Sequence, residues 1–140
     1  MPEILHELVI HASPEKVYDA LTTEKGLAGW WTTDVSAKPV SGSVAEFGFN
    51  KHQFVIRMRI DQLEPPAQVK WSCLGDHPEW KGTTVTFRLK KDGDQTGVRL
   101  HHTGWKTADG ILGMCRDGWA NHLASLKALL ETGEGAPNTE

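Results

Sequence analysis

Apolar residues change their spacing twice along this chain, and each change marks a new kind of element. Residues 4–11 (ILHELVIH) are dense in Ile, Leu and Val and predict a first strand. Ser13 then stands where a helix N-cap belongs, with Pro14 at the first helical position and Glu15 in the first turn. A Ser side chain accepts a free backbone N–H, Pro loses nothing there, and Glu suits the positive helix end. Val17, Ala20 and Leu21 give that helix one apolar side. Thr23 caps a second short helix through Leu27, and Gly29 is expected to help stop it before Trp30 and Trp31.

From Val35 to Gly104 the period becomes two. The apolar sets are Ala45, Phe47 and Phe49; Phe54, Ile56, Met58 and Ile60; Val69, Trp71 and Cys73; Val85, Phe87 and Leu89; and Val98 and Leu100, with His102 continuing the last. Polar residues alternate with them, so each strand has one apolar and one wet face, as in an antiparallel sheet covered on one side. Asn50-Lys51-His52, Pro65-Pro66 and Asp92-Gly93-Asp94 carry the turn chemistry between strands.

The last element returns to helical spacing, from about Ala108 to Thr132, with Thr107 as its cap and Gly133 as its stop. Ile111, Leu112, Cys115, Trp119, Leu123, Leu126, Leu129 and Leu130 form its apolar stripe. Gly110, Gly113 and Gly118 weaken the first half, each by about 1 kcal/mol against alanine. The firm part is expected to begin near Gly118, capped by Asp117. The expected order is a strand, two short helices, five or six antiparallel strands and one long helix. That helix is the element large enough to cover the apolar face, so the sheet must curl around it in an α+β fold. Residues 1–133 are expected to form one domain, and residues 134–140 a flexible polar tail.

Composition narrows the function classes. The net charge of −3, with both signs interspersed and no basic block, argues against nucleic-acid binding. No apolar run reaches the roughly 18 residues of a membrane helix, and none follows a basic start. Cys73 and Cys115 form no C-x-x-C pair, which fits two reduced thiols in a cytoplasmic protein.

The segments HASPEKVYDALT, a short helix ending in GWW, PEWKGTTVTFRL and GWANHLASLKALLE resemble the activator of heat-shock-protein-90 ATPase homologue family. That family lies within the START-like (SRPBCC, Bet v 1-like) superfamily, and the resemblance spans about residues 5–131. It implies a helix-grip fold: a curved antiparallel sheet around a long C-terminal helix, with two short helices after the first strand. It also implies a deep, largely apolar cavity between helix and sheet. Eukaryotic activators carry an additional N-terminal chaperone-binding domain. A chain of 140 residues leaves no room for one, so at most a weak chaperone association is expected.

Six tryptophans are a heavy load for 140 residues. They either pack as core or line a cavity and stack on an apolar ligand. Trp71 and Trp119 face inward, Trp80 sits in the loop Leu74–Gly82 as a lid, and Trp105 is ambiguous. Among the histidines, His6, His11, His52 and His77 fall in exposed or turn contexts and His101 alternates outward, while His102 and His122 face inward. Cys73, Cys115, His102 and His122 come from three elements without local ligand spacing, so no metal is expected, and no cofactor. No catalytic motif is recognisable. The expected function is binding of a hydrophobic small molecule, lipid-like or aromatic, by Trp30, Trp31, Phe47, Phe49, Phe54, Ile56, Met58, Trp71, Cys73, Phe87, Leu100, His102, Cys115, Trp119 and His122. The alternatives are an aromatase/cyclase- or hydrolase-like enzyme using His102 or His122, and a chaperone-associated module.

Overall fold

Local signals place the first third of the chain. A computed structural model describes residues 2–74 and 78–139, so His77 lies outside the described residues. Strand β1 (Ile4–Ile10) buries Ile4 and Ile10 and leads into α1 (Pro14–Thr22). The Ser13 side chain accepts from the Lys16 N–H at 3.3 Å, and Val17, Ala20 and Leu21 turn inward. Thr23 both ends α1 and opens α2 (Glu24–Trp30), its hydroxyl donating to the Asp19 carbonyl and accepting from the Gly26 N–H. Gly29 does not stop this helix. It lies inside α2, where an added Cβ would sit 2.9 Å from a Leu129 methyl. Its missing side chain lets α2 press onto the last helix, and packing rather than termination explains the residue.

Strands β2 (Val35–Ser36), β3 (Val44–Phe49), β4 (Phe54–Glu64), β5 (Gln68–Cys73), β6 (Thr84–Asp92) and β7 (Gln95–Thr103) complete the sheet. All neighbours pair antiparallel in the order β1-β7-β6-β5-β4-β3-β2. The period-two residues Met58, Val69, Trp71, Val85, Phe87, Val98 and Leu100 are buried on the concave face. A bulge between Ile60 and Gln62 in β4 shifts the register and bends the sheet. On the convex face Arg57 pairs with Glu46, Arg59 with Asp61 and Arg99 with Glu7, which keeps that face wet.

Helix α3 (Leu112–Thr132) fills the grip, later than Ala108 and earlier than Gly118. Neither Thr107 nor Asp117 caps it: Thr107 holds the Asp109 N–H instead, and Asp117 lies within the helix. The Glu79 carboxylate, from the segment before β6, accepts from the Ile111 N–H at 3.1 Å and places negative charge at the helix start. That tertiary cap stabilises a turn which Gly113 and Gly118 would otherwise weaken. Gly133, at φ 88°, ends the helix as expected.

The tail expected to fray is pinned. The Asn138 N–H donates to the Trp31 carbonyl at 2.8 Å, and the Asn138 carbonyl accepts from the Thr33 N–H at 2.9 Å. The Asn138 amide donates to Thr32 Oγ1, and the Ala136 N–H donates to the buried Ser125 hydroxyl, which itself donates to the Trp30 carbonyl. Backbone groups left by the α2–β2 joint thus find partners 95 or more residues away. At about 1 kcal/mol per net hydrogen bond, ending the chain at Gly133 is expected to cost about 2–4 kcal/mol. A lower urea midpoint would show it, and an unchanged one would refute it.

Candidate ligand site

Five aromatic rings occupy the centre of the grip. Trp31 lies 4.2 Å from Phe47, 6.0 Å from Trp71 and 5.1 Å from Trp119, centroid to centroid. Trp71 meets Phe87 at 5.1 Å, and Phe87 returns to Trp119 at 6.1 Å, so the contacts close on themselves. These rings fill the middle of the space between sheet and helix, and a cavity lies towards the β3–β4 end.

That cavity, about 220 Å³, is lined by Trp31, Phe49, Phe54, Ile56, Trp80, Met114, Cys115, Gly118, Trp119 and His122. Two elements supply most of its lining, with Trp31 from the end of α2 and Trp80 from the segment before β6. The β3–β4 hairpin presents Phe49 and Phe54, with Asn50, Lys51 and His52 all at positive φ between them. His52 Nδ1 lies 2.6 Å from Asp34 Oδ2, and the Asp34 carboxylate occupies the space a Cβ on Gly48 would need. Helix α3 supplies the opposite wall through residues 114, 115, 118, 119 and 122, one face at helical spacing. Phe54 and Met114 are 46% and 68% exposed, which places apolar surface at the mouth.

Seven of the residues expected to face a ligand therefore line the cavity: Trp31, Phe49, Phe54, Ile56, Cys115, Trp119 and His122. Trp30, Phe47, Met58, Trp71, Cys73, Phe87, Leu100 and His102 lie instead in the packed core. Trp30 anchors α2 to α1 by donating from its indole N–H to the Ala20 carbonyl at 2.8 Å. Trp80, expected as a lid, forms part of the wall, and Met114 and Gly118 join it unforeseen. Their signal was present: both fall on the same α3 face as Cys115, Trp119 and His122. Gly118 reads as a helix weakener in sequence, yet a Cβ there would meet nothing within 4 Å. Its missing side chain is cavity space.

The inward histidines differ in kind. His102 is fully buried, and its Nδ1 accepts the Trp119 indole N–H at 3.1 Å. An indole N–H only donates, so the His102 proton sits on Nε2. Nε2 then donates to Thr83 Oγ1 at 2.8 Å, and that hydroxyl donates to the Trp80 carbonyl at 2.6 Å. Burial pushes His102 down to about 4, which keeps it neutral. It is a positioning residue: it holds Trp119 directly and the Trp80 segment through Thr83, without lining the cavity. Trp105 packs on it at 4.8 Å. His122 lies between Trp31, at 5.5 Å, and Trp119, at 6.0 Å, and burial pushes it too down to about 4.

Neither thiol is activated. Burial pushes Cys73 up to about 12, and Cys115, which accepts the Trp80 indole N–H at 3.0 Å, is raised by burial as well. A wider depression of about 760 Å³ lies over β1, β7 and β6, lined by Glu7, Arg88, Lys90 and Arg99 around Gly97. It is larger than the aromatic cavity, and charged side chains stand among its lining in place of aromatic rings.

A helix gripped by a curved sheet agrees with the family match, which covers residues 11–131 and is described as activator of Hsp90 ATPase homolog 1-like protein. The chain belongs to that family. Among solved structures, the Aha1 dimer from Colwellia psychrerythraea is 40% identical, with a TM-score of 0.89, over 96% of this chain and 100% of that one. Protein MLL2253 from Mesorhizobium loti, 22% identical, has a TM-score of 0.81 over 92% of this chain and 96% of its own. CalU16 from Micromonospora echinospora, also 22% identical, has a TM-score of 0.75 over 96% and 76%. These last two share the fold. No curated protein matches the sequence. In this member of the activator-homologue family, no helix among the described residues is long and apolar enough to cross a membrane.

Proposed function

We propose that the chain binds a compact aromatic small molecule in the cavity between α3 and the β3–β4 hairpin. The supporting observation is a space of about 220 Å³ walled by Trp31, Phe49, Phe54, Trp80 and Trp119. A cavity of roughly 150 Å³ accommodates benzene, and drug-sized ligands occupy roughly 300–1,000 Å³. The size therefore favours one or two fused rings over a lipid chain. Burial of apolar ring surface drives binding, and edge or offset stacking on the tryptophans orients the ligand. Titration with one- and two-ring aromatics is expected to change tryptophan fluorescence and the amide shifts of Gly118 and Trp119. If every such probe left both unchanged, the reading would fall.

A weak association with heat-shock protein 90 is a second reading, favoured by kinship to a protein named Aha1 at 40% identity. Retention of the chaperone on the immobilised chain supports it, and no retention overturns it.

A further inference from the structure

Within the cavity wall, His122 is a polar side chain that the protein leaves unused. Cys115 already accepts the Trp80 N–H, and Trp119 already donates to His102. His122 makes ring contacts with Trp31 and Trp119 but no hydrogen bond to any described residue. Its nitrogens still reach solvent, so a ligand that closes over this half-buried imidazole must replace the water it covers.

The lining also constrains charge. Among the described residues it contains no Asp, Glu, Lys or Arg. A carboxylate or phosphate entering this space would lose its hydration without a counter-charge. A neutral imidazole offers one acceptor and one donor, and a hydroxyl or ring N–H is matched to either. Resting on the binding reading above, we propose that the ligand is a one- or two-ring aromatic bearing a single neutral hydrogen-bonding group, a phenol or an aromatic N–H. His122 is the residue that selects it. The rings supply affinity and His122 supplies the choice, because an apolar analogue leaves the imidazole unpaired.

Matched probes of one size test this: naphthalene, 2-naphthol, 2-naphthoate and, for an aromatic cage that prefers cations, phenyltrimethylammonium. The wild-type chain is expected to bind 2-naphthol about tenfold more tightly than naphthalene, the ratio one well-made hydrogen bond supplies, and to bind the two ions more weakly than either. His122→Phe is expected to bind naphthalene at least as well and to lose the preference, and His122→Gln to recover part of it. The imidazole nitrogen shifts of His122, read by NMR in the unmodified protein, should move with 2-naphthol and not with naphthalene, whatever the variants do. Equal binding of naphthalene and 2-naphthol, tightest binding of an ion, or a preference surviving His122→Phe overturns the selection while leaving the cavity reading intact. Failure of all four probes to bind removes both.

Discussion

Gly118→Leu is expected to weaken aromatic ligands about 100-fold while leaving the fold as stable as before or more so. Gly118 lines the cavity, and a Cβ built there meets no atom within 4 Å. A leucine at this position extends into the space the ligand would take, and an overfilled site costs a competitor about 1–3 kcal/mol. The same change removes a glycine from the interior of α3, a gain of about 1 kcal/mol in helix propensity. Loss of binding with a raised urea midpoint separates occupation of the site from damage to the fold. Undiminished ligand affinity in a folded Gly118→Leu protein would mean that ligands bind elsewhere. The wide depression over β1, β7 and β6 is then the next place to look.

The second large effect is acid sensitivity. His102 and His122 are both pushed down by burial to about 4, from 6.5 for a free imidazole. Above pH 6.5 both are neutral in the folded and unfolded chain, and their contribution is fully present. As pH falls towards 4 the unfolded chain takes up protons that the folded chain refuses, so stability declines by up to about 1.4 kcal/mol per pH unit for each histidine. Below about 4 both states are protonated and this loss levels off. The total is on the order of 3 kcal/mol for His102 and less for His122, which borders the cavity mouth. Against the usual 5–15 kcal/mol, the chain is expected to approach unfolding by pH 4. Urea midpoints at pH 7, 5.5 and 4.5 measure the slope, and His122→Phe should flatten it in part. A midpoint constant from pH 7 to 5 would contradict the burial of these imidazoles. Burial is the cause at His102, and its hydrogen bonding works in the same direction: a proton on Nδ1 would face the Trp119 N–H, donor against donor.

How legible the site was depended on how local its causes are. Ser13 and Thr23 were readable as caps because each bonds an N–H three residues away. The start of α3 was not, because its cap is Glu79, 32 residues upstream. The tail reads as flexible by composition, yet Asn138 completes the backbone pairing around Trp31. Inward-facing aromatics were identified from period two. Which of them fill space and which border it depends on how four elements meet, and alternation carries no such information. Trp71 and Trp119 both point inward; Phe87 and Trp31 close over the first, while the second keeps one face on the cavity.

By itself the sequence determined the element order, the concave and convex faces of the sheet, the helix-grip architecture and the inward direction of His102 and His122. Each follows from spacing along one strand or helix, where geometry repeats every two or 3.6 residues. Only the tertiary structure decided that the ring cluster closes the middle of the grip and leaves about 220 Å³ at one end. It alone separated His102, with both nitrogens engaged, from His122, which makes ring contacts only. Volume and hydrogen-bond satisfaction are properties of surfaces brought together from distant positions, and no pattern within one element encodes them.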